Sequence, residues 1–72
     1  MSEISPEMLQ AAIGKKIAEL RNQHNYSLRE LALLADIEHH QLVNIEKGRV
    51  DMRMSTLLKI ANALKIELKD LF

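Results

Sequence analysis

Apolar residues recur along the chain at helical spacing, and the alternation of a β-strand is absent. Leu9, Ile13, Ile17, Leu20 and His24 fall on one face of a first segment. Ser5-Pro6 supplies its start, with Ser5 as N-cap and Pro6 in the first turn. The polar stretch from Asn22 to Tyr26 ends it, and Asn25 suits a left-handed backbone. Gly14 costs such a helix about 1 kcal/mol relative to Ala, so its first two turns are expected to be looser. Ser27-Leu28-Arg29-Glu30 is a capping box that opens a second helix, with Leu31, Ala32, Leu34 and Ala35 as its apolar face. A third begins near Glu38, turns Leu42 and Ile45 inward, and stops at Gly48. After a loop from Arg49 to Met54, Ser55 is expected to cap a fourth helix with a core face of Leu57, Ile60, Ala61 and Leu64. Glu67-Leu68-Lys69-Asp70 resembles a weaker cap for a final turn. The pattern predicts an all-α chain with helices over about 6–24, 28–35, 39–47, 56–64 and 68–72, and no repeat, linker or low-complexity tract.

Only Asp36, Ile37 and Glu38 separate the second and third helices, and so short a connection forces a steep crossing, as in a helix-turn-helix. At ~100° per residue the third helix has two faces. Leu42 and Ile45 point inward, while His39, His40, Val43, Asn44 and Lys47 gather on the other side. A short, polar, hydrogen-bonding strip suits the DNA major groove, where base edges offer donors and acceptors. Asn44 fits adenine N6/N7 or, less specifically, other bases; His39 and His40 can donate to guanine or bond a phosphate, and Val43 suits a thymine methyl.

Composition narrows this picture. A chain of 72 residues predicts one domain with a small core, for which pairing with a second subunit is a reasonable expectation. At 47% apolar and 28% charged, the composition is globular. The absence of cysteine removes disulfides and thiolate metal sites, and with no signal peptide and no apolar run near ~20 residues the expected setting is reducing and cytoplasmic, with no membrane partner. Ten basic residues offset ten acidic ones, which argues against a nonspecific polyanion binder. A nucleic-acid reading therefore requires a local basic face. Lys47, Arg49 and Arg53 supply one around the loop after the third helix, with Lys15 or Lys16 as possible additions. Ser27 and the N–H groups opening the second helix are further phosphate candidates.

"IGKKIAELR", "YSLRELA", "LADI", "IEKG", "STLLKIANALKI" and "LKDLF" together resemble the phage Cro/cI-repressor (Xre-type) helix-turn-helix family, from about Ile13 to Phe72. The resemblance implies a compact five-helix, lambda-repressor-like domain whose third helix inserts into the major groove. It implies base-facing roles for Glu38, His39, His40 and Asn44, and an ion pair between Arg21 and Glu46 that braces the first helix against the third. It also implies that the region of the last helix forms a dimer contact. Leu68, Leu71 and Phe72 carry more apolar surface there than one small core requires, so a homodimer on a palindromic operator is expected, with half-sites about 34 Å apart. Leu28 stands where the family usually has glutamine, Asp36 where glycine is common, Glu38 in place of a Ser/Thr cap, and Lys65 where glycine often ends the fourth helix.

The leading function is a sequence-specific DNA-binding transcriptional regulator, of the repressor or restriction-modification controller type, acting without a cofactor. No effector domain is expected after residue 72, so control would come from concentration, a partner or degradation. The rival is a protein-interaction module, an antitoxin or adapter on the same fold, which Glu38, Leu28 and the zero net charge favour. An enzyme is the weakest reading, because no nucleophile–base–orienter set, phosphate loop or metal spacing is present. His39 and His40 point about 100° apart and make a poor chelating pair; a merely solvated polar face is their stronger rival role. His24 is expected to cap or pack, and Met1, Met8, Met52 and Met54 to fill gaps. Leu33 falls off the core face, free to meet the N-terminal segment or a second subunit.

Overall fold

The computed structural model describes residues 3–72; Met1 lies outside them. Among the described residues are four α-helices, one 3-10 turn and no strand. The helices are α1 (Pro6–Gln23), α2 (Leu28–Ala35), α3 (His39–Glu46) and α4 (Met54–Leu64). The fifth expected helix is a single 3-10 turn, Leu68–Leu71. Four residues are too few for an α-helical turn to propagate.

Local chemistry explains most boundaries. Ser5 Oγ accepts from the Met8 amide at 3.1 Å, and Pro6 at the first position has no amide to satisfy. At α2 the capping box is complete: the Glu30 amide donates to Ser27 Oγ at 3.0 Å, and the Ser27 amide donates to Glu30 Oε1 at 2.8 Å. At the terminal turn the Glu67 amide donates to Asp70 Oδ2 at 3.0 Å. Ser55, by contrast, does not cap α4. The helix starts two residues earlier, with Arg53 at the N-cap and no side-chain hydrogen bond there. Thr56 and Leu57 are both buried, so packing of the first turn fixes its start.

All four α-helices stop the same way. The left-handed residue is Asn25 (φ 59°), Asp36 (φ 57°), Gly48 (φ 68°) or Lys65 (φ 61°). After each, the next amide reaches back five residues to a carbonyl: Tyr26 to Arg21, Ile37 to Ala32, Arg49 to Asn44 and Ile66 to Ala61, at 3.0–3.1 Å. This Schellman arrangement is usually accompanied by an apolar contact from that following residue. Tyr26, Ile37 and Ile66 obey, each packed against the core. Arg49, after α3, is exposed.

The core is a continuous cluster that includes Ile13 and Ile17 of α1, Leu31, Ala32 and Ala35 of α2, Leu42 and Ile45 of α3, and Leu57, Ile60, Ala61 and Leu64 of α4. Leu28 also packs against it, which gives an apolar side chain a use at that position. The core is narrower than the apolar stripes of the sequence. Leu9 is 42% exposed and Leu34 is 55% exposed, so both stripes run on past the core. His24 also leaves the stripe: it is exposed, forms the C-cap of α1, and stacks its ring on Tyr26 at 5.1 Å. Met52 fills a partly buried gap, but Met8 and Met54 are exposed.

Gly14 has a use that helix propensity does not reveal. It is buried, and α1 is helical through it. A Cβ there would collide with the Ile45 carbonyl oxygen and lie 2.7 Å from that of Glu46. The residue that weakens α1 by propensity therefore lets α1 lie directly against the end of α3. Gly48 extends the same contact, since a Cβ on it would lie 2.8 Å from the Ala11 Cα.

Candidate nucleic-acid interface

α3 is held from behind by Leu42 and Ile45, both essentially inaccessible to solvent. Each such side chain contributes roughly 1.5–3 kcal/mol of burial. The helix has little else of its own. Glu38 at its N-cap makes no side-chain hydrogen bond, and the first turn holds no acidic residue.

Its C-terminal end is tied down electrostatically. Arg21 Nε donates to Glu46 Oε2 at 2.8 Å, and Nη2 donates to Oε1 at 3.1 Å. The two side chains are only 15% and 10% exposed. Such a two-pronged bond fixes orientation as well as distance. Nη1 of the same guanidinium donates to the Tyr26 carbonyl at 2.9 Å. One side chain of α1 thus holds both the last turn of α3 and the segment leading into α2. The Tyr26 contact was not legible in the sequence, since any backbone carbonyl can accept and nothing in residue type marks this one.

The outward side of α3 carries the remaining candidates. His40 is exposed; His39, Val43 and Asn44 are half-buried; Lys47 follows the helix and is exposed. His40 Nε2 and Asn44 Nδ2 are 3.2 Å apart, one helical turn from each other. Gln41, which sequence reasoning passed over, is also exposed on this helix. Its position on the flank between core and outward strip is what obscured it.

Charge around the strip is distributed unevenly. Glu46 is engaged by Arg21, and Asp51 accepts a hydrogen bond from Gln10. Lys47, Arg49 and Arg53 are exposed and make no ion pair among the described residues. The loop after α3 therefore presents free positive charge despite the zero net charge of the whole chain. Ser27 is exposed at the start of α2, its oxygen accepting from Glu30.

The candidates at the C-terminal end divide. Leu71 is 2% exposed and belongs to the core of the single chain, so it is not available to a second subunit. The 3-10 turn directs it back under the helices, where it joins the buried cluster. Leu68 is half-buried and Phe72 is 63% exposed. Phe72 borders an open apolar groove with Pro6, Leu9, Met54 and Leu57.

Two short helices joined by a three-residue turn, the second presenting a polar strip beside free cations, define a helix-turn-helix unit supported by α1 and α4. Comparison with known proteins identifies the particular family. A family model described as a helix-turn-helix domain matches residues 14–72, and the chain belongs to that family in its Cro/cI form. The HTH-type transcriptional regulator PuuR of Escherichia coli (strain K12) is 33% identical over 61 residues, covering 85% of this chain and 33% of PuuR. The chain thus spans about a third of the length of that relative. The restriction-modification controller protein C.AhdI from Aeromonas hydrophila superposes with a TM-score of 0.86 at 30% identity, covering 88% of this chain and 96% of C.AhdI. An HTH_3 family transcriptional regulator from Vibrio cholerae superposes with a TM-score of 0.90 at 28% identity, covering 94% of this chain and 38% of that protein.

Proposed function

We propose that this chain is a sequence-specific DNA-binding domain of a transcriptional regulator, of the repressor or restriction-modification controller type, acting in the cytoplasm. The observation that carries this reading is the polar strip of α3 standing outward while Leu42 and Ile45 anchor it from behind, with the exposed cations Lys47, Arg49 and Arg53, unpaired among the described residues, in and beside the loop that follows. α3 enters the major groove, where Glu38, His39, His40, Val43 and Asn44 face the bases. Lys47, Arg49, Arg53 and Ser27 contact phosphates and set the register. Arg49 supports this assignment by what it gives up: its position favours an apolar side chain in the other three helix stops, and here it holds an exposed cation. Arg21 and Glu46 hold the reading helix in place from outside the groove.

Leu68 and Phe72 contribute to a twofold dimer that places two copies of α3 about 34 Å apart on a palindromic operator. The exposed Phe72 beside the Pro6–Leu9 groove supports this, and Leu71 takes no part. Double-stranded DNA is the partner; the reading needs no cofactor, metal or small molecule.

The test is a mobility shift on a duplex selected from a random pool and on an unselected one, over a range of salt. Binding to the selected duplex is expected to be tighter, with log K falling against log[salt] at a slope of roughly −3 to −4 per subunit for about four phosphates neutralised. Equal, weak binding to both duplexes would favour an interaction module on this fold.

A further inference from the structure

The His40–Asn44 contact is a hydrogen bond within the outward strip, and it constrains both side chains. The two residues are four apart on α3, so their side chains meet on one face. The Asn44 amide nitrogen has only hydrogens to offer. With the amide donating, His40 Nε2 is the acceptor and the ring carries its hydrogen on Nδ1. An asparagine amide is otherwise a loose rotor whose two ends exchange donor for acceptor on a half-turn. Binding one amide hydrogen to the ring nitrogen selects one of these two settings.

The selected setting has a chemical consequence. With one N–H given to His40, Asn44 keeps its second N–H and its Oδ1. In the major groove, adenine pairs an acceptor at N7 with a donor at N6. Guanine offers two acceptors and cytosine a donor alone. One donor beside one acceptor matches adenine. We propose that His40 is a positioning residue: its neutral ring holds the Asn44 amide in the setting that reads adenine, instead of reading a guanine itself through Nε2. This inference rests on α3 being the DNA-reading helix.

Two measurements test it. In the DNA-free protein, ring-nitrogen chemical shifts in mildly alkaline buffer are expected to show His40 protonated on Nδ1, with Nε2 bare. A proton on Nε2 would overturn the proposal without reference to DNA. The second measurement is base preference from selected duplexes. The protein is expected to prefer adenine about five- to 150-fold at one position per half-site, and Asn44→Ala is expected to abolish that preference. His40→Ala should weaken it by about threefold or more at the same position. His40→Gln, whose carbonyl can accept the amide N–H, should restore most of it. In an Asn44→Ala background, His40→Ala should change nothing further there. An adenine preference untouched by His40→Ala overturns the positioning role while leaving α3 as the reader. So does a loss of preference at a different base pair, which would make His40 a direct reader. A flat profile for the unaltered protein would overturn the DNA-reading function and this inference together.

Discussion

α2 and α3 are both eight residues long, yet they are stabilised in opposite ways. α2 carries its own support: a complete capping box at Ser27 and Glu30, three buried side chains, and the apolar Ile37 packed behind its stop. α3 has no side-chain cap, two buried side chains, and the exposed Arg49 behind its stop. What α3 lacks locally is supplied from α1, by the close approach at Gly14 and the Arg21–Glu46 pair. The difference follows from what each helix presents. Side chains that face outward to meet a ligand are unavailable for packing and capping, so the helix bearing them must be held by its neighbours. An isolated helix this short is marginal in water, which makes that external support decisive.

The comparison can be broken most forcefully at Gly14. Gly14→Val forces α1 off the carbonyls of Ile45 and Glu46 and is expected to cost about 3 kcal/mol or more in urea unfolding. A near-neutral effect would mean that α3 does not depend on this contact. Glu46→Ala leaves the Arg21 guanidinium without its carboxylate in a mostly buried site, and a loss of about 2 kcal/mol is expected by the same assay. Ser27→Ala removes the α2 cap and should cost about 1 kcal/mol. Glu38→Ser sharpens the contrast in the other direction. It gives α3 the cap it lacks and should raise stability by about 0.5 kcal/mol. A destabilising Glu38→Ser would show that Glu38 already supports the helix.

The sequence made the helix pair legible because its signals are local. Ser5, Ser27 and Glu30 mark starts, and Asn25, Asp36 and Gly48 mark stops, all through bonds within five residues. Periodicity located Leu42, Ile45, Leu57, Ile60, Ala61 and Leu64 in the core. What depends on distant partners was hidden. Gly14 reads as a weak point until α3 is laid across it. Leu9 and Leu34 continue their stripes past the margin of a core whose extent no stripe reveals. Leu71 reads as surplus until the 3-10 turn folds it inward. Ser55 has the chemistry of a cap, but burial of Thr56 and Leu57 sets the start of α4 without it. At the interface, residue types suggested which side chains face outward, but the bond between His40 and Asn44 and the third grip of Arg21 on Tyr26 required coordinates.

The outward strip of α3 as the DNA-reading surface is the claim on which the rest depends. Its most direct test is to follow the backbone amide resonances of the protein while titrating a duplex selected from a random pool. The largest changes are expected at His39, His40, Val43, Asn44 and Lys47, with a second group at Ser27, Arg49 and Arg53. Changes centred instead on Phe72 and the Pro6–Leu9 groove, or on Leu33 of α2, with α3 unmoved, would contradict it.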